Sequence, residues 1–262
     1  LIKDDYIMTT FKEHVILITG SSRGIGRSIA LAFAKEKSTV IINYLANEKA
    51  ALKTVEDCKS LGGHAEAIKA DIKNEVEVKK MIDNIIKNYG KLTCLVNNAF
   101  ASFEFNSENR KIIEEITWND YLSQFEGALK YTHNTVKYCL PHLKKQSNSS
   151  IINITSNLTK RPIIPYHQYN IAKSTLESYT KNLARELGQY NIRVNCIAPG
   201  LVYPTKGTIN TKESLKEEII HQTPLGRIAT PNDIAGSVLF FSSQWSDFIT
   251  GQTLYVDGGF TI

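Results

Sequence analysis

The chain has 262 residues, 42% of them hydrophobic and 22% charged, which is the composition of a folded globular protein and excludes a disordered chain. Its formal net charge of +5 is mild, and Lys and Arg are scattered instead of forming a basic run, so no nucleic-acid partner is expected. No apolar run approaches the roughly 18–20 residues that span a bilayer, so no membrane partner is expected either.

Residues 1–11 read as a flexible N-terminal extension, with Met8 as the expected natural start; LIKDDYIMTTFKEH lacks the apolar middle of a signal peptide. Strand and helix patterns then alternate to the end. HVILITG (14–20) reads as a strand, 24–37 as a helix, TVIINY (39–44) as a strand and 47–61 as a helix with Ala50, Leu52, Val55 and Cys58 on its apolar face. HAEAIKADI (64–72) reads as a strand, 74–89 as a helix, and LTCLVNNA (92–99) as a strand. Residues 100–117 are polar and irregular. A long helix follows over 118–140, stopping before Pro141. SSIINITS (149–156) is a strand, 166–189 a helix with Ala172, Leu176, Tyr179, Leu183 and Leu187 on one face, and IRVNCIAP (192–199) a strand. A loop-plus-helix insertion over 200–225, a helix over 231–243 and a strand over 252–257 close the chain.

Continuous Val/Ile runs, in place of alternation, predict strands buried on both faces of a parallel sheet. Strand–helix alternation makes the connections right-handed crossovers. The expected fold is α/β: a single doubly wound domain over 12–262 with about seven parallel strands and helices on both faces. The four cysteines, Cys58, Cys94, Cys139 and Cys196, lie far apart without metal-ligand spacing, so free thiols, a cytoplasmic setting and no metal site are expected.

TGSSRGIG (19–26) falls between the first strand and the first helix. Gly20 permits the turn out of the strand; Gly24 and Gly26, lacking Cβ, let a pyrophosphate approach backbone amides and the positive end of the helix. The same loop brings Ser22, Arg23 and Ile25 to the nucleotide. The second strand ends at Asn43–Tyr44, where an NAD-selective site places an acid roughly 20 residues past the glycines. Asn43 leaves a 2′-phosphate unopposed and Arg23 is at hand, so NADP(H) is the expected cofactor, with NAD(H) as the second choice. Asp71 and Ile72 follow the third strand at the ligand-binding edge of the sheet, with Asp71 read either as an adenine contact or as a helix cap. Asn97, Asn98 and Ala99 end the fourth strand at that edge; either they line the cofactor, with Asn97 and Ala99 as the contacts, or they hold the turn.

Tyr169 and Lys173 are four residues apart on one predicted helix and share a face. The ammonium can favour ionisation of a phenol that otherwise titrates near ~10. Ser156 ends the preceding strand 13 residues upstream, where its hydroxyl can bond a substrate oxygen. Each of these is weak alone; the order of glycine loop, strand-end serine, then tyrosine and lysine is the specific signal.

With TGSSRGIG, ADI, LVNNA, INITS, YNIAK, RVNCIAPG, PLGRIATPNDIA and ITGQTLYVDGG all present, the chain resembles the short-chain dehydrogenase/reductase family over essentially residues 12–262. The resemblance implies a Rossmann-type fold and an NAD(P)-dependent oxidoreductase acting on a carbonyl or hydroxyl carbon. It implies Tyr169 as acid or base, Lys173 on the nicotinamide ribose and lowering the tyrosine's pKa, Ser156 orienting the carbonyl, and Pro199, Gly200 and Val202 beside the nicotinamide. It also implies a homotetramer or homodimer. Phe100 stands where the family usually has the glycine of NNAG, and Phe125 where it often has an asparagine that helps relay protons to the lysine. Either the relay is built differently or turnover is slower. Thr205 is displaced from the family's threonine after PG, and its role stays open.

Residues 201–220 are the expected substrate lid, with Leu201, Tyr203 and Ile209 either covering an apolar substrate or packing the loop. Ile163 and Ile164 are expected at the substrate mouth; His167 is read as solvated. The functional expectation is an NADPH-dependent carbonyl reductase or alcohol dehydrogenase similar to 3-oxoacyl-[acyl-carrier-protein] reductases, with a small-molecule substrate or a carrier-linked acyl chain. The alternative, a non-catalytic NADP-binding sensor or scaffold, is motivated by Phe100 and Phe125. Enoyl-thioester reduction is a third reading, disfavoured by the four-residue tyrosine–lysine spacing.

Overall fold

The structure, a computed structural model, describes residues 11–262. The expected start at Met8 and residues 1–10 of the expected extension lie outside the described residues. Phe11 is buried, its ring packed T-shaped with Phe33 at 5.4 Å, so this last residue of the expected extension is part of the packed domain.

Seven parallel strands form one sheet in the order β3-β2-β1-β4-β5-β6-β7. They are β1 (Val15–Ile18), β2 (Thr39–Tyr44), β3 (His64–Lys69), β4 (Cys94–Asn97), β5 (Ser149–Ile154), β6 (Ile192–Pro199) and β7 (Thr253–Val256). Every residue of β1, β4, β5 and β6 is buried, as the unbroken apolar runs require of strands covered on both faces. One face is packed by α1 (Gly24–Lys35), α2 (Glu48–Ser60) and α8 (Pro231–Ser242), around Ile29, Phe33, Val55 and Val238. The other is packed by α3 (Glu75–Tyr89), α5 (Tyr131–Leu143) and α6 (His167–Leu187), around Met81, Ile85, Val136 and Leu187.

The chain runs outward from β1 through β2 to β3, then returns to lay β4 on the other side of β1. Such a switch point opens a crevice beyond the carboxyl ends of the strands, where ligands bind. A buried polar chain fixes the strands beside it. Thr135 donates to Asn97 (2.6 Å), Asn97 to Asn153 (2.9 Å) and Asn153 to Thr180 (2.7 Å), tying α5, β4, β5 and α6 together.

Three local expectations differ from the fold. β3 stops at Lys69, and Asp71 and Ile72 belong to the loop that leads to α3. The apolar face of α2 is Ala51, Thr54, Val55 and Cys58, whereas Leu52 is exposed. The long helix does not stop at Pro141. It begins as α4 (Trp118–Phe125) on a Thr117–Asp120 capping box, widens into a π turn over Glu126–Lys130, and continues as α5 through Pro141 to Leu143. The proline sits in the last turn, where its missing N–H removes little of the ladder. α7 (Glu213–Gln222) is the helix of the 200–225 insertion. Among the described residues no helix is long and apolar enough to cross a membrane.

Candidate active site

A cleft of about 1170 Å³ runs along the carboxyl edge of the sheet. At one end stands the turn between β1 and α1. Gly20 and Gly24 have φ of 62° and 56°, left-handed values that favour glycine. A Cβ on Gly26 would lie 2.6 Å from Asn98 Nδ2 and 2.7 Å from the Gly20 carbonyl, so only glycine fits. The N-terminus of α1 has no side-chain cap and no acid in its first turn, which leaves its amides and the positive end of its dipole facing the cleft. This cradle fits a dinucleotide pyrophosphate.

Two asparagines hold the turn. Asn43 Oδ1 accepts from the Gly20 N–H at 3.2 Å while its Nδ2 donates to the Ala70 carbonyl at 3.0 Å. Its side chain is therefore committed to backbone and is not presented to a ribose. Asn98 donates through Nδ2 to the carbonyls of Thr19 (2.9 Å) and Gly20 (3.1 Å). Of the residues expected at the cofactor, Gly20, Ser22, Arg23, Gly24, Ile25, Gly26, Asn43, Tyr44, Asp71, Ile72, Ala99, Pro199, Gly200 and Val202 all border this cleft. Asn97 does not: it is buried in the polar chain between α5 and β5. Side chains alternate along a strand, so the neighbour Asn98 is the one that faces the cleft. Asp71 accepts from the Lys73 N–H at 2.9 Å, and the cap of α3 is Asn74. Thr205 also borders the cleft, its side chain 4.0 Å from where a Cβ on Gly24 would stand.

Ser156, Tyr169 and Lys173 come together in this cleft, all three buried. Ser156 leaves the end of β5, while Tyr169 and Lys173 lie one turn apart on α6. Burial pushes the Tyr169 phenol up to about 12, against the lowering effect of a hydrogen bond with Ser156. Burial pulls Lys173 down to about 7. The expected lowering of the phenol by the ammonium is not seen: the one lowering influence is the Ser156 hydrogen bond, and desolvation outweighs it. Lys173 Nζ donates to the Ile154 carbonyl at 2.8 Å and lies 4.2 Å from the centroid of the Phe100 ring.

Beyond this trio the cleft is aromatic. Phe103 and Phe105 each pack against Tyr169 at 5.0 Å and against Tyr166 at 5.4 and 5.6 Å. The 100–117 segment, read as polar and irregular, supplies these rings. Phe100-x-x-Phe103-x-Phe105 was the signal available in the sequence. Ile163, Ile164 and Leu201 border the cleft as expected. Tyr203 and Ile209 do not: Lys216 covers the Tyr203 ring at 4.3 Å, and Ile209 is exposed. A Cβ on Gly200 would lie 2.9 Å from Asp257 Cβ, so glycine is needed where β6 leaves the sheet. Among the described residues no cluster of His, Cys, Asp or Glu is arranged to hold a metal.

The parallel sheet, its switch point and the glycine turn define a dinucleotide-binding α/β protein. A family model described as enoyl-(acyl carrier protein) reductase matches residues 20–261. The chain is 36% identical to a 3-oxoacyl-[acyl-carrier-protein] reductase of Staphylococcus aureus over 243 residues, 93% of this chain and 96% of the relative. It is 30% identical to glucose 1-dehydrogenase 2 of Bacillus subtilis over 94% of both chains. The crystal structure of a 3-oxoacyl-[acyl-carrier protein] reductase from Brucella melitensis superposes with a TM-score of 0.87 at 33% identity, covering 97% of this chain and 93% of that one. The chain belongs to the short-chain dehydrogenase/reductase family, NAD(P)-dependent oxidoreductases that act on CH–OH or C=O groups.

Proposed function

We propose that the protein is an NADPH-dependent carbonyl reductase whose substrate is an apolar ketone, in the first place a 3-oxoacyl thioester. The observation that carries this reading is the meeting of Ser156, Tyr169 and Lys173 in one cleft with the glycine turn. Bound reduced nicotinamide supplies the hydride. The Ser156 hydroxyl donates a hydrogen bond to the substrate oxygen, and the Tyr169 phenol, kept protonated by burial, gives that oxygen its proton. Lys173 would hold the nicotinamide ribose and carry positive charge beside the phenol once it is ionised. In the oxidative direction the phenolate takes the proton back.

The cofactor half would be held by the amides after Gly20, by Ser22, Arg23 and Ile25, and by Tyr44, Asp71, Ile72 and Ala99, with Pro199, Gly200 and Val202 against the nicotinamide. Arg23 is exposed at the mouth of the glycine turn and no carboxylate ends β2, which supports selection of a 2′-phosphate. The side-chain commitment of Asn43 makes Arg23, not Asn43, the determinant of that choice. Residues 201–220 act as the lid, with Leu201 on its inner side. Identity to 3-oxoacyl reductases and the apolar walls of Phe103, Phe105, Ile163 and Ile164 support an acyl substrate over a sugar.

The description of the family model favours a second reading, reduction of an enoyl thioester. The one-turn spacing of Tyr169 and Lys173 supports the carbonyl reaction. Assembly into a dimer or tetramer belongs to the same proposal; exposed Trp118 and Leu122 on α4, and Trp245 and Phe248 after α8, are apolar surface for it. Following NADPH and NADH oxidation with 3-oxoacyl thioesters, enoyl thioesters, simple ketones and aldoses, with Tyr169→Phe as control, tests the reading. Turnover of the 3-oxoacyl thioester that the control lacks supports it. Tight NADPH binding without turnover of any carbonyl overturns it in favour of a sensor.

A further inference from the structure

The two departures from the family pattern, Phe100 and Phe125, come together in space. Both pack on the same small cluster of Ala128, Ala172 and Leu176, on the face of α6 next to Lys173. Phe100 reaches the lysine itself. Its ring centroid lies 4.2 Å from Nζ, within the range of a cation–π contact, and it packs T-shaped with Tyr169 at 5.3 Å between centroids. The backbone on either side of Phe100 is pinned. Ala99 lies so close to Gly20 that a Cβ there would meet the alanine Cβ at 2.9 Å. Ala101 lies against Gly127, inside the π turn, with no room for a side chain between them. The ring is therefore carried on a clamped stretch of chain and is not a free loop side chain.

Lys173 needs such a partner. It is 4% exposed, and its one hydrogen-bond acceptor among the described residues is the Ile154 carbonyl. An ammonium has three donors, and a buried charge left unpaired is costly. The titratable groups facing it are the Tyr169 phenol on its own helix and the Cys196 thiol on β6. Burial pushes both of them up to about 12, so neither offers a negative charge at neutral pH. Among the described residues the π face of Phe100 is the remaining electrostatic partner.

We propose that Phe100 is a positioning residue for Lys173: its ring face and the Ile154 carbonyl together seat the ammonium, in place of a polar relay at Phe125. This rests on the reading of Lys173 as part of the reaction site. The paired departures are then one replacement, an apolar seat for a polar one. Phe125 completes the apolar floor, and Phe100 supplies the electrostatics.

The test reads Lys173 directly, without substrate. In protein carrying 13Cε-lysine, the Lys173 signal is assigned by its loss in Lys173→Met and followed in Phe100→Leu and Phe100→Tyr, each checked for an unchanged melting temperature. The ring current of Phe100 shifts the Lys173 signal upfield in the parent protein. The expected result is loss of that shift in Phe100→Leu and its retention in Phe100→Tyr. The Lys173 titration midpoint falls by about one pH unit in Phe100→Leu and recovers in Phe100→Tyr. With NADPH and a ketone, kcat falls about tenfold in Phe100→Leu near neutral pH, the ketone KM is unchanged, and the limb of the pH profile moves with the Lys173 titration. Phe125→Asn leaves the Lys173 signal in place. An identical signal and midpoint in folded Phe100→Leu, or a midpoint moved as far by Phe125→Asn, overturns the proposal. If the signal behaves as expected but no ketone is reduced, the functional reading falls and the seat stands; robust turnover with an unmoved signal does the reverse.

Discussion

The two halves of the cleft are built from different materials. The half around the glycine turn is backbone: amides at the start of α1, glycines at left-handed φ values that favour glycine, and two asparagines that hydrogen-bond main chain. The half around Tyr166 and Tyr169 is side chain, with rings from the 98–105 segment set on α6. A backbone cradle tolerates few substitutions because its geometry is shared by the whole sheet edge. A wall of rings on a connecting segment can change residue by residue without disturbing the sheet. On the proposed reading, cofactor binding and substrate choice are thereby separated within one cavity.

The largest effect expected is on the chemistry where the halves meet. Tyr169→Phe should lower kcat by about 10²–10⁴-fold while NADPH affinity stays within a few-fold, measured by steady-state kinetics and fluorescence titration. An equal loss of binding would show that the halves are not separable. Next, Gly26→Val drives side-chain atoms into Asn98 and the Gly20 carbonyl. It should weaken NADPH binding by one to two orders of magnitude and destabilise the fold by about 1–3 kcal/mol, read as a lower Tm. Arg23→Ala should weaken NADPH about tenfold and leave NADH unchanged, the worth of one charge-assisted hydrogen bond. Equal weakening of both cofactors would remove Arg23 as the determinant.

On the aromatic side, Phe103→Ala with Phe105→Ala should raise KM for long-chain 3-oxoacyl thioesters about three- to tenfold, with kcat and NADPH affinity little changed. A collapse of NADPH affinity would break the comparison. The smallest effect expected is on stability, at the rim of the same cleft, which Arg227 and Asp233 also line. Asp233 closes the capping box of α8 and pairs with Arg227, and the guanidinium first, then the Thr230 bonds, hold its carboxyl well below the usual carboxylate range. A depressed folded-state value means the stabilisation is complete above the unfolded value near ~4 and is lost as pH falls through the folded one. Asp233→Asn should therefore lower Tm by a few degrees at pH 7, the cost of about 1 kcal/mol for a cap, with the gap to the parent narrowing in acid.

The sheet, its burial, the glycine turn and the order of Ser156, Tyr169 and Lys173 were legible in the sequence, because each depends on local pattern. Unbroken apolar runs report strands covered on both faces, and one helical turn separates Tyr169 from Lys173 wherever the helix lies. Pattern also misled in places. Pro141 reads as a stop but sits in a last turn, and Asn97 reads as a cleft residue but faces α5, because the exact end of β4 decides which of two neighbouring asparagines points outward.

By itself, then, the sequence determined the α/β class, the glycine turn at the sheet edge and the order of Ser156, Tyr169 and Lys173, the proposed reaction centre, since short-range spacing and strand burial specify them. Tertiary structure alone decided that Asn43 spends its side chain on the Gly20 and Ala70 backbone, that Phe103 and Phe105 close over Tyr166 and Tyr169, and that Phe100 lies on the ammonium of Lys173. Those contacts join segments far apart in the chain, and their geometry follows from how the sheet brings the ends of β1, β4 and β5 to one edge, which no local spacing encodes.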